Sequence, residues 1–134
     1  MAAMKTPVTL ALAALALSAC AANRAAPMAE TGYAPGALAL AAIERGDWAR
    51  AEFLLTDPSR GSASDPARLI NLGKVYWETG RPEQARAAWR RALASDRAVD
   101  VETMGGRTVS TLQLAREALE AYDARPATVV AARR

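Results

Sequence analysis

Residues Asp65 to Leu93, DPARLINLGKVYWETGRPEQARAAWRRAL, read as two amphipathic helices joined by a single glycine-containing turn. In the first half Leu69, Leu72, Gly73 and Tyr76 fall at offsets 0, 3, 4 and 7, which places them on one helical face. In the second half Ala85, Ala88, Trp89, Ala92 and Leu93 fall at offsets 0, 3, 4, 7 and 8. Gly80 ends the first helix and Pro82 opens the second, since glycine accepts the left-handed backbone that closes a helix and proline presets the first helical turn. The expected product is an antiparallel helical hairpin, and the rest of the chain is organised around it.

The composition agrees with a helical fold. Alanine, leucine, arginine and glutamate dominate, while one Phe, three Tyr and three Trp supply the aromatic bulk. That balance favours helix over sheet and predicts an all-α class. The 134 residues suffice for one domain. There is no His, and Cys20 is the sole Cys. An internal disulfide, a thiol or imidazole metal site and a Ser-His-Asp or Cys-His nucleophilic centre are therefore excluded within this chain. The formal charge is +3, but Lys5 lies in a segment expected to be removed, which leaves 16 basic against 14 acidic side chains. Arg and Glu or Asp alternate along the helices rather than gathering on one face, so no nucleic-acid partner is expected.

Residues 1–19 follow the order of a signal peptide: Lys5 in a short basic region, an apolar run from Val8 to Leu17, then small residues. The run is shorter than the roughly 20 apolar residues needed to span a bilayer. It ends in Leu17-Ser18-Ala19-Cys20, which resembles the lipobox of bacterial lipoproteins. The resemblance implies cleavage before Cys20, a diacylglyceryl group on its sulfur and acylation of the new amino terminus. The alternative is an incidental small residue in an ordinary signal peptide or a buried helix. Each buried methylene contributes about 0.8 kcal/mol, so several acyl chains hold a protein firmly where one does so marginally. By the same resemblance, Ala21 after the cysteine, rather than an aspartate, implies sorting to the outer membrane, with the protein on its periplasmic side.

Residues 20–34 carry Pro, Gly and small side chains without an apolar period and are expected to form a flexible tether. The folded domain is expected over residues 35–124. From about Pro35 a helical pattern begins with Leu38, Ala41, Ala42 and Ile43, turns at Gly46-Asp47, and continues with Trp48, Ala51, Leu54 and Leu55. Asp57-Pro58 stops this second helix early, Gly61 to Ser64 form a loop, and Asp65 caps the next helix with Pro66 in its first turn.

The two hairpins echo each other: Gly46 and Gly80, Ala51 and Ala85, Leu55 and Trp89, and Leu38 and Leu72 are each 34 residues apart. That period, with Leu72-Gly73, Tyr76, Gly80, Ala85, Trp89 and Ala92, resembles the tetratricopeptide repeat. Leu69 stands where the family prefers Trp, and Arg97 where it prefers Pro. In the first hairpin Ala39 and Ala42 replace Gly and Tyr. The resemblance implies about two repeats of a short helical hairpin, whose first helices line a concave surface for an extended peptide or a partner helix. A plain helical bundle is the alternative.

Beyond the hairpins, VDVETMGGRTVS (Val99 to Ser110) alternates β-branched and acidic residues around Gly105-Gly106, which predicts a small β-hairpin. Ser110 with Gln113 resembles a capping box opening a helix to about Asp123, with Leu112, Ala115, Leu119 and Tyr122 on its apolar face. A stack of repeats leaves one apolar face uncovered, and this helix is expected to close it. Residues 125–134 lack a core pattern and are expected to be a disordered tail.

Carboxylates are the remaining acid-base groups, yet Glu44, Asp47, Glu52, Glu78 and Glu83 sit in solvated or turn positions. Asp96, Asp100 and Glu102 lack the regular oxygen spacing of a calcium loop. No enzyme activity, cofactor or metal is expected. Carried over by register, the concave surface of the family maps to Leu40, Ile43 and Glu44 of the first hairpin and Ile70, Lys74, Trp77 and Glu78 of the second. Trp77 is the sharpest candidate, because an exposed Trp is a frequent hot spot. Its other reading is packing against a neighbouring helix, and Trp48 and Trp89 read as structural. The resulting expectation is a lipid-anchored adaptor that binds a protein partner, in secretion or pilus assembly or in recruiting cell-wall enzymes. A self-associating structural lipoprotein is the alternative, since two repeats are fewer than the ~3 that make a stable array and a homodimer would complete the core.

Overall fold

The structure is a computed structural model that describes residues 32–103 and 105–125. The expected signal peptide, Cys20, most of the expected tether and residues 126–134 of the expected tail lie outside the described residues. The described chain is mostly helical: α1 (Leu40–Glu44), α2 (Trp48–Thr56), a 3-10 turn (Pro58–Arg60), α3 (Pro66–Glu78), α4 (Pro82–Leu93), strands β1 (Asp100–Glu102) and β2 (Thr108–Ser110), and α5 (Thr111–Asp123). No helix among these is long and apolar enough to cross a membrane.

The stop and start signals act where their chemistry places them. The Asp47 carboxylate accepts from the Arg50 N–H (3.1 Å) to cap α2, and Asp65 accepts from the Arg68 N–H (3.0 Å) to cap α3. Gly46 and Gly80 take φ of +68° and +74° at the two inter-helix turns, a backbone that an L side chain adopts only with strain. Asp57 is extended (ψ 113°) and Pro58 follows, which ends α2.

Helix α3 is central. Its Val75, with Leu72 beside it, joins a core of Ala39, Ala42, Ile43, Ala51, Leu54 and Leu55, and its Leu69 joins a second core with Ala92 of α4 and Ala115 of α5. Small residues on α4 (Ala85, Ala88, Ala92) are fully or nearly fully buried and let α3 approach closely. The Trp89 ring fills the remaining space above Gly73, where an added Cβ would overlap its Nε1 and Cδ1. Helix α5 packs on α4 and α3 and closes the second hairpin.

Two local expectations are corrected. The first helix does not start near Pro35: the chain runs through turns from Pro35 to Leu38, and α1 begins at Leu40. Gly36 (φ +77°) and Ala39 (φ +56°) both lie in the left-handed region, which a right-handed helix cannot include. The carbonyls that a helical ladder would use are engaged elsewhere, Ala37 by Arg68 Nη1 (3.2 Å) and Leu38 by the Asn71 amide (2.9 Å). The tether also ends earlier than its composition suggests, because the Tyr33 hydroxyl is held by the Asp65 carboxylate at 3.2 and 3.3 Å.

The capping box at α5 is half made. Ser110 Oγ accepts from the Leu112 N–H (3.3 Å), but the Gln113 amide donates along the helix to Glu117 (2.9 Å). Thr111 supplies the missing tie: fully buried, it donates its N–H to Val99 O (2.9 Å) and its Oγ1 accepts from Val99 N–H (3.1 Å). Strands β1 and β2 pair antiparallel, with Val101 opposite Val109.

Candidate functional site

Ile70, Lys74 and Trp77 of α3 front two adjoining cavities that share Ile70, Asn71, Lys74 and Leu114 as walls. The larger, about 360 Å³, lies between α3 and α5 and is lined further by Trp77, Glu78, Tyr122 and Arg125. The smaller, about 310 Å³, lies between α1, α3 and β1 and is lined by Leu38, Leu40, Ile43 and Val101 among others. Together they make one groove running along α3 from the β-hairpin to the end of α5.

Six of the seven residues carried over by register border this groove: Leu40 and Ile43 the smaller cavity, Trp77 and Glu78 the larger, Ile70 and Lys74 both. Glu44 does not. It is exposed at the end of the five-residue α1 and lines neither cavity. With α1 starting only after the left-handed Ala39, the first hairpin contributes Leu38, Leu40 and Ile43 to the groove.

Trp77 packs against neighbouring helices and also lines the larger cavity. Its ring centroid lies 6.3 Å from Trp89 and 5.7 Å from Tyr122 of α5 in an edge-on arrangement, and the Arg125 guanidinium stands 4.6 Å over it. The side chain is half-buried by these contacts and still forms part of the larger cavity's wall. It fastens the closing helix, which builds the groove, as much as it is presented by the groove.

The rim is charged on an apolar floor. Lys74 pairs with Glu78 one turn on, at a loose 3.9 Å with both side chains well exposed, so the pair contributes little. Hydrogen bonds from Arg107 (3.1 Å) and then from Gln113 hold the Glu117 carboxyl below its ordinary range and keep it ionised. The Tyr122 hydroxyl donates to Glu83 Oε1 (2.8 Å), which raises its pKa. Among the described residues no group of three or more His, Cys, Asp or Glu gathers in a way that could hold a metal ion.

Several groove residues escape the register argument. Leu114, Glu117, Ala118, Ala121, Tyr122 and Arg125 of α5 form one wall, at offsets 0, 3, 4, 7, 8 and 11. That stripe is present in the sequence beside the face of Leu112, Ala115 and Leu119, and α5 uses both. Val101 and its neighbours in β1 reach the groove only because the hairpin folds back beside α1 and α3, which no local pattern announces.

Arg68 also went unsignalled. It is 3% exposed, and its guanidinium donates to carbonyls of Ala37 (3.2 Å), Leu55 (2.6 Å) and Asp57 (2.9 Å). It thereby locks α3 to the carboxyl end of α2, the negative end of that helix's dipole, and to the turn before α1. This clamp ties the two helical pairs together.

No family model, curated protein or solved structure matches the chain.

Proposed function

We propose that this chain is a lipid-anchored periplasmic adaptor, held to the outer membrane through Cys20, whose tetratricopeptide-like hairpins bind a protein partner in the groove along α3. The observation that carries the reading is the convergence of Leu40, Ile43, Ile70, Lys74, Trp77 and Glu78 on one apolar groove with a charged rim. Apolar concave surfaces with a few polar groups are the usual form of a recognition site. The repeat reading is supported by matched positions 34 apart: Gly46 and Gly80 share a left-handed turn, and Ala51 and Ala85 are both fully buried.

The anchor is tested by intact mass of the membrane-extracted protein. A chain starting at Cys20 and carrying acyl groups is expected; an unmodified Cys20 preceded by residues 1–19 overturns it. The binding role is tested by in-cell crosslinking from Lys74, where a discrete partner is expected. Its biological setting, secretion or pilus assembly or cell-wall enzyme recruitment, follows from the partner captured.

The second reading, a self-associating structural lipoprotein, is favoured by one observation: Phe53 on α2 is 58% exposed, the outlying large apolar side chain of the described surface. Arg50 covers one side of it, at 5.4 Å from the ring centroid. Light scattering of the protein lacking residues 1–31 separates the two, because a concentration-independent monomer removes the structural reading.

A further inference from the structure

The two-stranded sheet stands beside the groove with one edge open. Thr103 N–H donates to Arg107 O (2.9 Å) and Thr111 N–H to Val99 O (2.9 Å), so the residue pairs 99/111, 101/109 and 103/107 are the hydrogen-bonded ones. The backbone groups of Asp100 and Glu102 therefore point away from β2, and among the described residues they have no backbone partner. The smaller cavity is lined by Val101, Glu102, Thr103 and Gly105 and by no residue of β2, so it is the β1 edge that borders it.

Resting on the reading of the groove as a protein-binding site, we propose that the partner segment binds by strand addition to the β1 edge, as an extended peptide in which a basic residue, an apolar residue and a basic residue alternate. The pleat sets the pattern. Val101 is half-buried and shares its sheet face with the buried Val109, whereas Asp100 and Glu102 project from the other, exposed face. A strand laid on this edge places the side chain beside Val101 toward the apolar cavity of Leu40, Ile43 and Leu114, and its two neighbours beside the carboxylates. Neither carboxylate has an ion-pair partner among the described residues. Lysine or arginine at the flanking positions complements them, and an acidic peptide would set like charges side by side. Lys74, the cation on the cavity wall, has its ammonium toward Glu78, and its stem leaves the floor apolar. An edge of three residues is too short to recruit strands indiscriminately, so the pocket and the charges supply the selection.

The test is amide hydrogen exchange and chemical-shift mapping on the full chain, titrated with a blocked Thr-Lys-Val-Lys-Thr peptide and, in parallel, Thr-Glu-Val-Glu-Thr. The expected result is about tenfold slower exchange at Asp100 and Glu102 with the basic peptide alone, and no change at Val101, which already bonds to β2. The exposed double variant Asp100→Lys, Glu102→Lys is expected to reverse the peptide preference while leaving the rest of the spectrum in place. Shifts at Lys74, Trp77 and Leu114 without slowing at Asp100 and Glu102 overturn strand addition and leave the groove reading standing. Equal binding of both peptides overturns the charge pattern. No perturbation anywhere overturns the proposal, and the groove reading is then decided separately by crosslinking from Lys74.

Discussion

Trp89 and Gly73 are a matched pair: the indole Nε1 of Trp89 donates to Ile70 O (3.2 Å) across the backbone of α3, and the ring occupies the space where a Cβ on residue 73 would sit. Ile70 and Trp77, on the same helix, both meet Trp89, through the Ile70 carbonyl and a ring contact at 6.3 Å. Gly73→Ala is therefore expected to destabilise the fold by about 1–3 kcal/mol through overpacking, despite the gain in helix propensity of roughly 1 kcal/mol. In a Trp89→Leu background the sign reverses, because the obstruction is gone and the propensity gain remains. Denaturant unfolding of the four proteins measures the coupling, and an equal effect of Gly73→Ala in both backgrounds would contradict it.

Replacing Arg68 with methionine is expected to cost about 3 kcal/mol, since the carbonyls of Ala37, Leu55 and Asp57 lose a buried, charged donor. No carboxylate takes part in these bonds, so the loss is expected to be insensitive to salt. Lysine keeps the charge but not the planar fork, and Arg68→Lys should recover only part of the stability. Full recovery in thermal unfolding would show that charge alone suffices.

The fold and the groove were legible to different degrees, for physical reasons. Caps and stops such as Asp47, Asp65, Gly80 and Pro82 are local chemistry, and they stand where the sequence places them. The late start of α1 was not legible, because it depends on Arg68 and Asn71, thirty-odd residues away, taking the carbonyls of Ala37 and Leu38. Of the groove, the α3 wall followed from register. The β1 wall required tertiary placement, and Glu44, still the last residue of α1, is exposed and lines neither cavity.

Tyr33 offers a pH signature. Burial first, then the Asp65 charge and the hydrogen bond to it, push its pKa from 10.0 up to about 12. A raised value means the folded state holds the proton more tightly. The stability this contact contributes is complete below pH 10.0 and is lost as pH rises toward 12. Tyrosinate absorbance is expected to show late titration from both Tyr33 and Tyr122, and Tyr33→Phe in a Tyr122→Phe background is expected to remove what remains; a late-titrating tyrosine that persists in the double variant would contradict the assignment.

Arg81 and Glu52 join the α3–α4 turn to α2 through two bonds, 2.9 and 2.6 Å, with the Arg81 guanidinium also 4.5 Å over the Tyr76 ring. Hydrogen bonding from Arg81 holds the Glu52 carboxyl below its ordinary value. Its contribution is therefore present above the ordinary carboxylate range and is lost in acid as Glu52 protonates. Both side chains are a third exposed, so a double-mutant cycle with Glu52→Gln and Arg81→Gln is expected to return a coupling of only about 0.5–1 kcal/mol, shrinking with salt. A coupling near zero at low salt would remove the pair from the account of how the helical pairs are joined.

A protein partner seated in the groove along α3 can be captured in cells from both of its walls. Photoreactive residues are placed in cells at Lys74 on α3 and at Leu114 on α5, with Arg90, exposed on α4 and outside both cavities, as the control. The same discrete partner is expected from positions 74 and 114 and none from position 90. Adducts that are absent from both walls, or that form equally from position 90, would contradict it.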